Sequence, residues 1–267
     1  MRSGGFIYPE TNRVLFGDPF ANAVLREADR LDARRIFVIA SGTLSRTTDV
    51  IDQLRAVLGG RFAGLRDQMA AHTPRIDVVE AANAARDAGA DLILTVGGGS
   101  VTDGGKMVVL CLANDISDPD KLDDCRTEVA EDGTQQQPDL PAPSVRMVTV
   151  PTTLSAGEFN FSAGCTDTIR HVKHSYRHRM LAPVSIILDP AITVHTPQWL
   201  WLSTGVRAVD HGTEDLCSLH AQPYVDGTAI QALKLLGRGL PASQENPNDL
   251  DARLDCLTGA WLSMVGS

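Results

Sequence analysis

Residues 91–106, which read DLILTVGGGSVTDGGK, contain the change from strand to helix that decides the fold. Their first six residues form a nearly continuous apolar run, which is typical of a buried strand in a parallel sheet. Three glycines and Ser100 follow, and a helix is predicted from there to about Ala113. A strand, a glycine-rich turn and a helix in this order indicate one unit of an α/β fold.

Similar units lie on both sides of this stretch. Residues 35–40 predict another buried strand, and residues 77–88 keep the spacing of a helix. Gly89 follows at the position where a helix C-cap glycine is expected. Two more strands are predicted downstream, over residues 146–150 and 184–188.

Strand signals stop near Pro197, and the remaining chain keeps helical spacing. Three helices are predicted there, over residues 199–219, 225–236 and 250–265. We place a domain boundary near Asp189. The predicted fold class is therefore α/β, with a parallel-sheet domain over residues 1–189 followed by an all-helical domain over residues 190–267.

Composition and charge exclude several classes of protein. A chain with 43% hydrophobic and 21% charged residues is a soluble globular protein and not a disordered or fibrous one. The net charge of −9 is concentrated in residues 115–132, where eight acidic residues face two basic ones. This segment lies within residues 114–144, which are polar, contain prolines and predict a long surface excursion. No basic patch is present, so a nucleic-acid partner is not expected.

The sequence also predicts where the protein is found. No apolar stretch approaches the roughly 18 residues of a membrane span, and the first eight residues lack the apolar core of a signal peptide. The five cysteines are scattered, without a C-x-x-C spacing, and are expected to be reduced thiols. We therefore expect a cytoplasmic protein without a membrane partner.

Four loops follow the predicted strands, at residues 41–43, 97–100, 151–158 and 189–190. In an open parallel sheet, ligands bind beyond the carboxyl ends of the strands, so these loops are expected to meet. Three consecutive glycines let the backbone approach a phosphate, and the following helix directs its positive dipole end at the anion. Neither the G-x-G-x-x-G nor the G-K-[ST] pattern is present, so a standard Rossmann site and a P-loop are not indicated.

A glycine turn can also serve packing alone. Asp103 and Lys106 place an acid and one of only four lysines on the first turns of the same helix, and they favour a ligand site over packing. The absence of G-K-[ST] argues against a phosphate-transfer enzyme.

Several separated motifs resemble the iron-containing alcohol dehydrogenase family. Residues 71–74 and the sequence before His211 look closest to its maleylacetate reductase-like branch. The resemblance runs in order from about Arg13 to the end of the chain. Its motifs are GGGSVTDGGK (97–106), PTT (151–153), Asp189-Pro190, and Thr204-Gly205 leading to His211 and Glu214.

The resemblance implies a dinucleotide-binding α/β domain, a helical domain and hydride transfer between NAD or NADP and a small carbonyl or unsaturated acidic substrate. It also implies a homo-oligomer. The alternative is a non-catalytic nucleotide-binding remnant of the family. The implied cofactor residues are Gly97, Gly98, Gly99 and Ser100 around the pyrophosphate with Asp103 close by, Thr152, Thr153 and Ser155 on the nicotinamide side, and Lys173 near the ribose.

Position 41 departs from the family pattern. Many members carry an aspartate there that binds the hydroxyl groups of the adenosine ribose, whereas Ser41 can hydrogen-bond to either form of the cofactor. Ser41 is therefore a cofactor-binding candidate, and it predicts NADH and NADPH affinities within roughly tenfold, about 1.4 kcal/mol.

Position 207 is the second departure. Metal-dependent members place an aspartate ligand there, but Arg207 lies one helical turn before His211 and repels a divalent cation. We predict that iron or zinc is weakly held or absent, and that Arg207 binds an anionic substrate while His211 acts as acid, base or polariser. The alternative is that Arg207 only pairs with Asp210 on the helix surface.

Two further expectations concern histidines. The remaining histidines of the family's metal site lie farther along than Ser267, so the helical domain is expected to be incomplete. His174 and His178 could ligate a metal only in a helix, and they are expected to lie on a solvated surface.

Overall fold

A computed structural model describes residues 5–130, 132–219 and 221–266. The protein consists of a six-stranded parallel sheet with helices on both faces, followed by a group of three long helices. In chain order the elements are β1 (Arg13–Phe16), α1 (Phe20–Arg30), β2 (Ile36–Ala40), α2 (Gly42–Thr47), α3 (Val50–Leu58), β3 (Phe62–Arg66), α4 (Arg75–Asp87), β4 (Leu92–Gly97), α5 (Gly99–Ala113), β5 (Glu128–Val129), β6 (Gln135–Gln136), β7 (Arg146–Pro151), β8 (Ser162–Asp167), β9 (Val172–Arg177), β10 (Ser185–Leu188), α6 (Pro190–Thr193), α7 (Gln198–Leu216), α8 (Pro223–Glu245) and α9 (Leu250–Leu262).

The sheet has the strand order β1-β10-β7-β4-β2-β3, and every neighbouring pair is parallel. This confirms the predicted α/β class with a parallel sheet. The central strands β2 and β4 are buried along their whole length, which is why their sequences are apolar without alternation. Because all strands run the same way, the loops after their carboxyl ends lie along one edge.

Helices cover both faces of the sheet. On one face, α4 and α5 pack on the strands through buried residues such as Val78 and Met107. On the other face, α1 and α3 do so through Val24 and Leu54. Gly89 has a φ of +60° just after α4, as the sequence predicted for a residue that ends this helix.

Several parts of the fold differ from the sequence prediction. The edge strands β1 and β3 and the antiparallel hairpin of β8 and β9 were not expected. The segment 114–144 is not entirely a surface excursion, because Leu122 is fully buried and Cys125 packs in the same core.

The histidine segment also needs correction. His174 lies in strand β9 and His178 follows it, so they do not share a helix face. His174 is half-buried, with its Nδ1 atom 3.0 Å from the guanidinium of Arg75. It is therefore not part of a solvated surface.

The three long helices pack on one another and on the sheet. Trp201 of α7, Leu236 of α8 and Leu257 of α9 share an apolar cluster with Ile186 and Leu188 of β10. No strand follows Pro197 within the described residues, as predicted, although α8 extends beyond its predicted end to Glu245. None of the helices in the described ranges has the length and apolar character needed to cross a membrane.

Candidate active site

Four loops meet at one edge of the sheet, as the sequence predicted. They follow β10, β7, β4 and β2, which are neighbours in the sheet, and they begin near Asp189, Thr152, Gly98 and Ser41. Backbone hydrogen bonds join adjacent loops: Thr152 N–H donates to the Gly97 carbonyl at 3.0 Å, and Ser41 N–H donates to the Val96 carbonyl at 2.9 Å.

The glycine loop is faced closely by the loop after β7. A Cβ atom on Gly98 would lie 2.9 Å from Thr153 Cγ2, and one on Gly99 would lie 2.9 Å from Ser155 Oγ. Glycine is therefore required at both positions for the loops to approach each other. Two hydroxyl groups, those of Thr153 and Ser155, lie 3.4 Å apart directly beside the half-buried Gly98 and Gly99.

Ser100 is connected to a distant turn. Its Oγ accepts a hydrogen bond from the His72 backbone N–H at 3.1 Å, and its carbonyl accepts one from Thr73 Oγ1 at 3.2 Å. His72 and Thr73 both have positive φ angles, +65° and +55°, and for the β-branched Thr73 this backbone is strained. Because Ser100 Oγ accepts from His72, its hydroxyl hydrogen is left to donate to an anion.

The loop after β7 also contacts the helical part. Thr152 and Thr153 are almost completely buried. Thr196 Oγ1 donates to the Thr152 carbonyl at 2.7 Å, and Leu154 N–H donates to Thr204 Oγ1 of α7 at 3.1 Å. The nicotinamide-side candidates are thus held between the sheet and α7.

Lys106 is fully buried and holds the end of the loop after β7. Its ammonium group donates to the Gly157 carbonyl, to the Asn160 carbonyl at 2.9 Å and to the Ser162 carbonyl at 2.7 Å. It also donates to the side-chain oxygen of Asn160 at 2.9 Å. Burial lowers the pKa of Lys106 to about 8, while the nearby Asp103 and Glu158 oppose that shift. The side chain therefore stays mainly cationic at neutral pH.

Two acids share this region. Asp103 accepts a hydrogen bond from Gly164 N–H at 3.2 Å, and burial raises the pKa of its carboxyl although Lys106 and Lys173 oppose the shift. Glu158 is fully buried, its Oε2 atom has no partner among the described residues, and burial raises its pKa to about 7.

Lys173 lies next to Asp103. Its side chain crosses Gly164 so closely that a Cβ atom there would collide with Lys173 Cε. The predicted cofactor residues Asp103 and Lys173 are therefore neighbours, although they are far apart in sequence.

Arg207 and His211 lie on α7. The Arg207 guanidinium pairs with Asp210, as the alternative interpretation predicted, and lies 3.9 Å from the carboxylate of Glu214. His211 is buried, and its Nδ1 has no partner among the described residues. Burial and the Arg207 charge lower the pKa of His211, so its imidazole is neutral at pH 7. No hydrogen bond or ion pair in the described part of the chain joins these two residues to the four loops.

The residues around His211 do not fit a divalent metal. Within the described ranges, no group of three or more His, Cys, Asp or Glu side chains could hold one. The two carboxylates on the same helix, Asp210 and Glu214, face the Arg207 guanidinium, and that cation repels a second positive charge. We derive no chemical step through a metal.

The sequence did not reveal every residue at this edge. Thr196 and Thr204 position the loop after β7, and Glu158 is buried at the end of that loop. Only their place in the quoted motifs could have drawn attention to Thr204 and Glu158. A cavity of about 810 Å³ lies elsewhere, between residues 5–14 and the end of α9, and none of the predicted site residues lines it.

Comparisons with known proteins identify the family of the chain. The sequence profile of iron-containing alcohol dehydrogenases matches residues 11–190, and the profile of the C-terminal region of that family matches residues 201–266. The dehydrogenase FUM7 of Gibberella moniliformis is 36% identical over 218 residues, which are 80% of this chain and 51% of that protein. A maleylacetate reductase of Burkholderia cepacia is 30% identical over 250 residues, 94% of this chain and 61% of that protein.

The fold agrees as well. The crystal structure of maleylacetate reductase from Agrobacterium tumefaciens superposes with a TM-score of 0.80 at 25% identity and covers 100% of this chain and 66% of that one. The chain spans only 51% and 61% of the two relatives compared by sequence. On the two profile matches and these relatives, the chain belongs to the iron-containing alcohol dehydrogenase family, in its maleylacetate reductase-like branch.

Proposed function

We propose that the chain is an NAD(P)H-dependent oxidoreductase that reduces a carbonyl group or a carbon–carbon double bond of a small acidic molecule. One observation carries the proposal: Gly98 and Gly99 are half-buried at the ligand edge of the sheet, with the hydroxyl groups of Thr153 and Ser155 directly beside them. Family membership supports oxidoreductase chemistry.

The residues present fit a dinucleotide. Glycine backbone without Cβ atoms lets phosphate oxygens approach the N–H groups at the start of α5, a 15-residue helix whose positive dipole end faces the same edge. Ser100 can donate its hydroxyl hydrogen there. When bound, the nicotinamide supplies the hydride, and the protein supplies orientation and a proton.

The proposed roles of the cofactor residues follow from the positions of the loops. Thr152, Thr153 and Ser155 orient the nicotinamide side. Asp103 lies about one turn along α5 from the glycines, and Lys173 of β9 is close to it beside Gly164. A non-catalytic binding module, which is the alternative, would make the same cofactor contacts but would not turn over a substrate.

Arg207 and His211 are the proposed substrate residues. Arg207 can bind a carboxylate with two nitrogen atoms if a substrate displaces Asp210 from its exposed pair. His211 is neutral and buried, with a free Nδ1, so it can hydrogen-bond to the group being reduced. Relatives named maleylacetate reductase support an unsaturated dicarboxylic acid as the substrate.

Two measurements test the proposal. Fluorescence titration with NADH and NADPH should show saturable binding, and steady-state oxidation of the reduced cofactor should depend on added maleylacetate more than on simple aldehydes. Binding without turnover would favour the non-catalytic alternative. Failure to bind either cofactor would overturn the proposed function.

A further inference from the structure

A strained turn over residues 71–74 contacts the start of α5 on one side and the β8–β9 hairpin on the other. His72 and Thr73 have consecutive positive φ angles, +65° and +55°. On the hairpin side, Thr166 Oγ1 donates to the His72 carbonyl at 2.6 Å, and Thr166 N–H donates to the Thr73 carbonyl at 2.9 Å. These two hydrogen bonds oppose relaxation of the turn to the negative φ angles that both residues prefer.

The other side of the turn sets the direction of the Ser100 hydroxyl group. The His72 N–H donates to Ser100 Oγ at 3.1 Å, and Thr73 Oγ1 donates to the Ser100 carbonyl at 3.2 Å. Because His72 occupies a lone pair of Oγ, the hydroxyl hydrogen is left for another acceptor. The proposed contact of Ser100 with the pyrophosphate therefore depends on the conformation of the turn.

Arg75, the first residue of α4, holds the hairpin in place. Its side chain is only 4% exposed, and a guanidinium offers several donors in a rigid fork, as an anchor between segments requires. The guanidinium contacts three residues of the hairpin and one of the turn Pro119–Cys125: Asp167 at 3.4 Å, the Tyr176 hydroxyl at 3.1 Å, His174 Nδ1 at 3.0 Å and Asp123 at 2.6 Å.

This network begins directly after the strained turn. Pro74, which separates Thr73 from Arg75, forms a β-bridge with Thr166, so a shift of the hairpin also shifts the turn. We propose that Arg75 is a positioning residue for the cofactor: it holds the hairpin against the start of α4, and through Thr166 it keeps the turn in the conformation that orients Ser100 toward the pyrophosphate. The inference rests on the proposed function and adds a residue that acts without contacting the cofactor.

A purely structural role for Arg75 makes a different prediction. A general loss of stability lowers cofactor affinity by the same factor whether or not residue 100 has a hydroxyl group. An effect transmitted through that hydroxyl disappears once the hydroxyl is removed, because residues that interact have non-additive effects. Double-mutant cycles that pair Arg75 or Thr166 with Ser100 therefore separate the two roles.

The test is calorimetric titration of the whole chain with ADP, which carries a diphosphate without the nicotinamide. Thr166→Val removes the side-chain hydrogen bond to His72 and should lower ADP affinity about fivefold, and Arg75→Lys should lower it about tenfold or more. In the Ser100→Ala background, both losses should shrink to less than about twofold.

Arg86→Met is the matched control. Arg86 lies in the last turn of the same helix and donates to the Ile116 carbonyl at 2.9 Å, so its loss destabilises the packing of α4 away from the strained turn. ADP affinity should change less than about twofold in this variant. If Arg75→Lys does not fold, Thr166→Val decides by itself.

The outcomes separate this inference from the proposed function. Equal losses of ADP affinity with and without the Ser100 hydroxyl would overturn the positioning role and leave the proposed function intact. Unchanged ADP affinity in Thr166→Val and Arg75→Lys would overturn it as well. If the wild type binds none of ADP, NADH and NADPH, the proposed function itself is wrong.

Discussion

The sequence pointed to Lys106 as part of the site, but the structure gives its side chain a different role from the one expected. In the sequence, a rare lysine on the helix after three glycines favours a phosphate site. In the structure its ammonium group is fully buried and satisfied by three carbonyls and one amide oxygen of residues 157–160 and 162. Lys106 therefore fixes the loop that continues from Thr152 and Ser155, and it positions the site through that loop.

A substitution at Gly99 tests whether the glycine loop, residues 97–99, binds the cofactor. In Gly99→Ala the new Cβ would lie 2.9 Å from Ser155 Oγ, so the two loops must separate. We expect NADPH affinity to fall at least tenfold, about 1.4 kcal/mol. Gly60→Ala is the matched control, because no atom lies within 4 Å of its Cβ position and affinity should not change. Titration of both variants with NADPH measures the change, and an unchanged affinity in Gly99→Ala would contradict cofactor binding by the glycine loop.

Glu158 should make stability depend on pH. Its pKa is raised to about 7 in the folded protein from 4.5, so the folded state holds more protons than the unfolded state between those values. The stabilisation is fully present below pH 4.5 and is lost as the pH rises through 7. At 1.4 kcal/mol per pKa unit the loss is about 3 kcal/mol.

Urea unfolding at pH 5 and pH 7.5 measures this loss. Glu158→Gln should remove most of the decrease in unfolding free energy between the two pH values, because the amide does not titrate. Glu245→Gln, at the exposed end of α8, should keep it. A decrease of wild-type size in Glu158→Gln would assign the titration to another group.

The absence of a firmly held metal remains a prediction about His211. Arg207 occupies the carboxylates that would be ligands, and one histidine is too few for a site that needs three or four protein groups. Elemental analysis after purification without chelators should find iron and zinc well below one per chain. Stoichiometric metal that is lost in His211→Ala would show that Asp210 or Glu214 ligates it despite Arg207.

Only part of the site could be predicted from the sequence. The four loops were found because glycine, proline and threonine runs follow apolar strands, and parallel strands must end at one edge. The raised pKa of Glu158 could not be predicted, since it comes from a burial that only the packed structure produces.

At the scale of elements, the same physics explains which strands were found. β2 and β4 are buried on both faces and are continuously apolar, so they were predicted. β3 is an edge strand with a central glycine, and its residues are only half-buried. Strands β8 and β9 form an antiparallel hairpin outside the six-stranded sheet, and Thr166 of β8 also bridges to Pro74. The buried Tyr176 of β9 lies in a run of polar and charged residues and accepts a hydrogen bond from the distant Arg75.

The packing of α5 on the sheet depends on Gly105. A Cβ atom there would collide with the Thr95 side chain and lie 2.6 Å from Met147 Sδ, both on buried strands. Gly105→Ala should lower the unfolding free energy by about 1–3 kcal/mol, as overpacking of a dense core does. Gly237→Ala, with no atom within 4 Å on α8, should raise it by up to about 1 kcal/mol. Denaturant titration measures both, and a neutral Gly105→Ala would show that α5 can shift on the sheet.

At the scale of the whole molecule, the sheet and the long helices share one core. Ile186 and Leu188 of β10 pack in the same cluster as Trp201 and Leu257. Thr196 and Thr204 connect the helical part to the loop after β7. A shared core of this kind predicts a single cooperative unfolding transition for the described residues.

Arg253 of α9 connects three helices, α6, α7 and α9. It is fully buried and has no carboxylate partner among the described residues. Its guanidinium lies 4.5 Å above the Trp201 ring, and it donates to the carbonyls of Pro247 and Thr193 and to the Thr193 hydroxyl. Burial lowers its pKa, which shows that the cation is held at a cost that these oxygen atoms must offset. Arg253 therefore binds the helical part to α6, directly after the sheet edge.

Arg253→Met should leave the Pro247 carbonyl without its donor and remove one of the two hydrogen bonds to the Thr193 carbonyl, and it should lower the unfolding free energy by about 1–3 kcal/mol. Arg238→Met removes an exposed pair with Asp255 and should cost less than about 1 kcal/mol. Because the core is shared, calorimetry of Arg253→Met should show one transition at lower temperature for the whole chain. Two separate transitions, with that of the sheet unchanged, would show instead that the helices fold independently of the strands on which they pack.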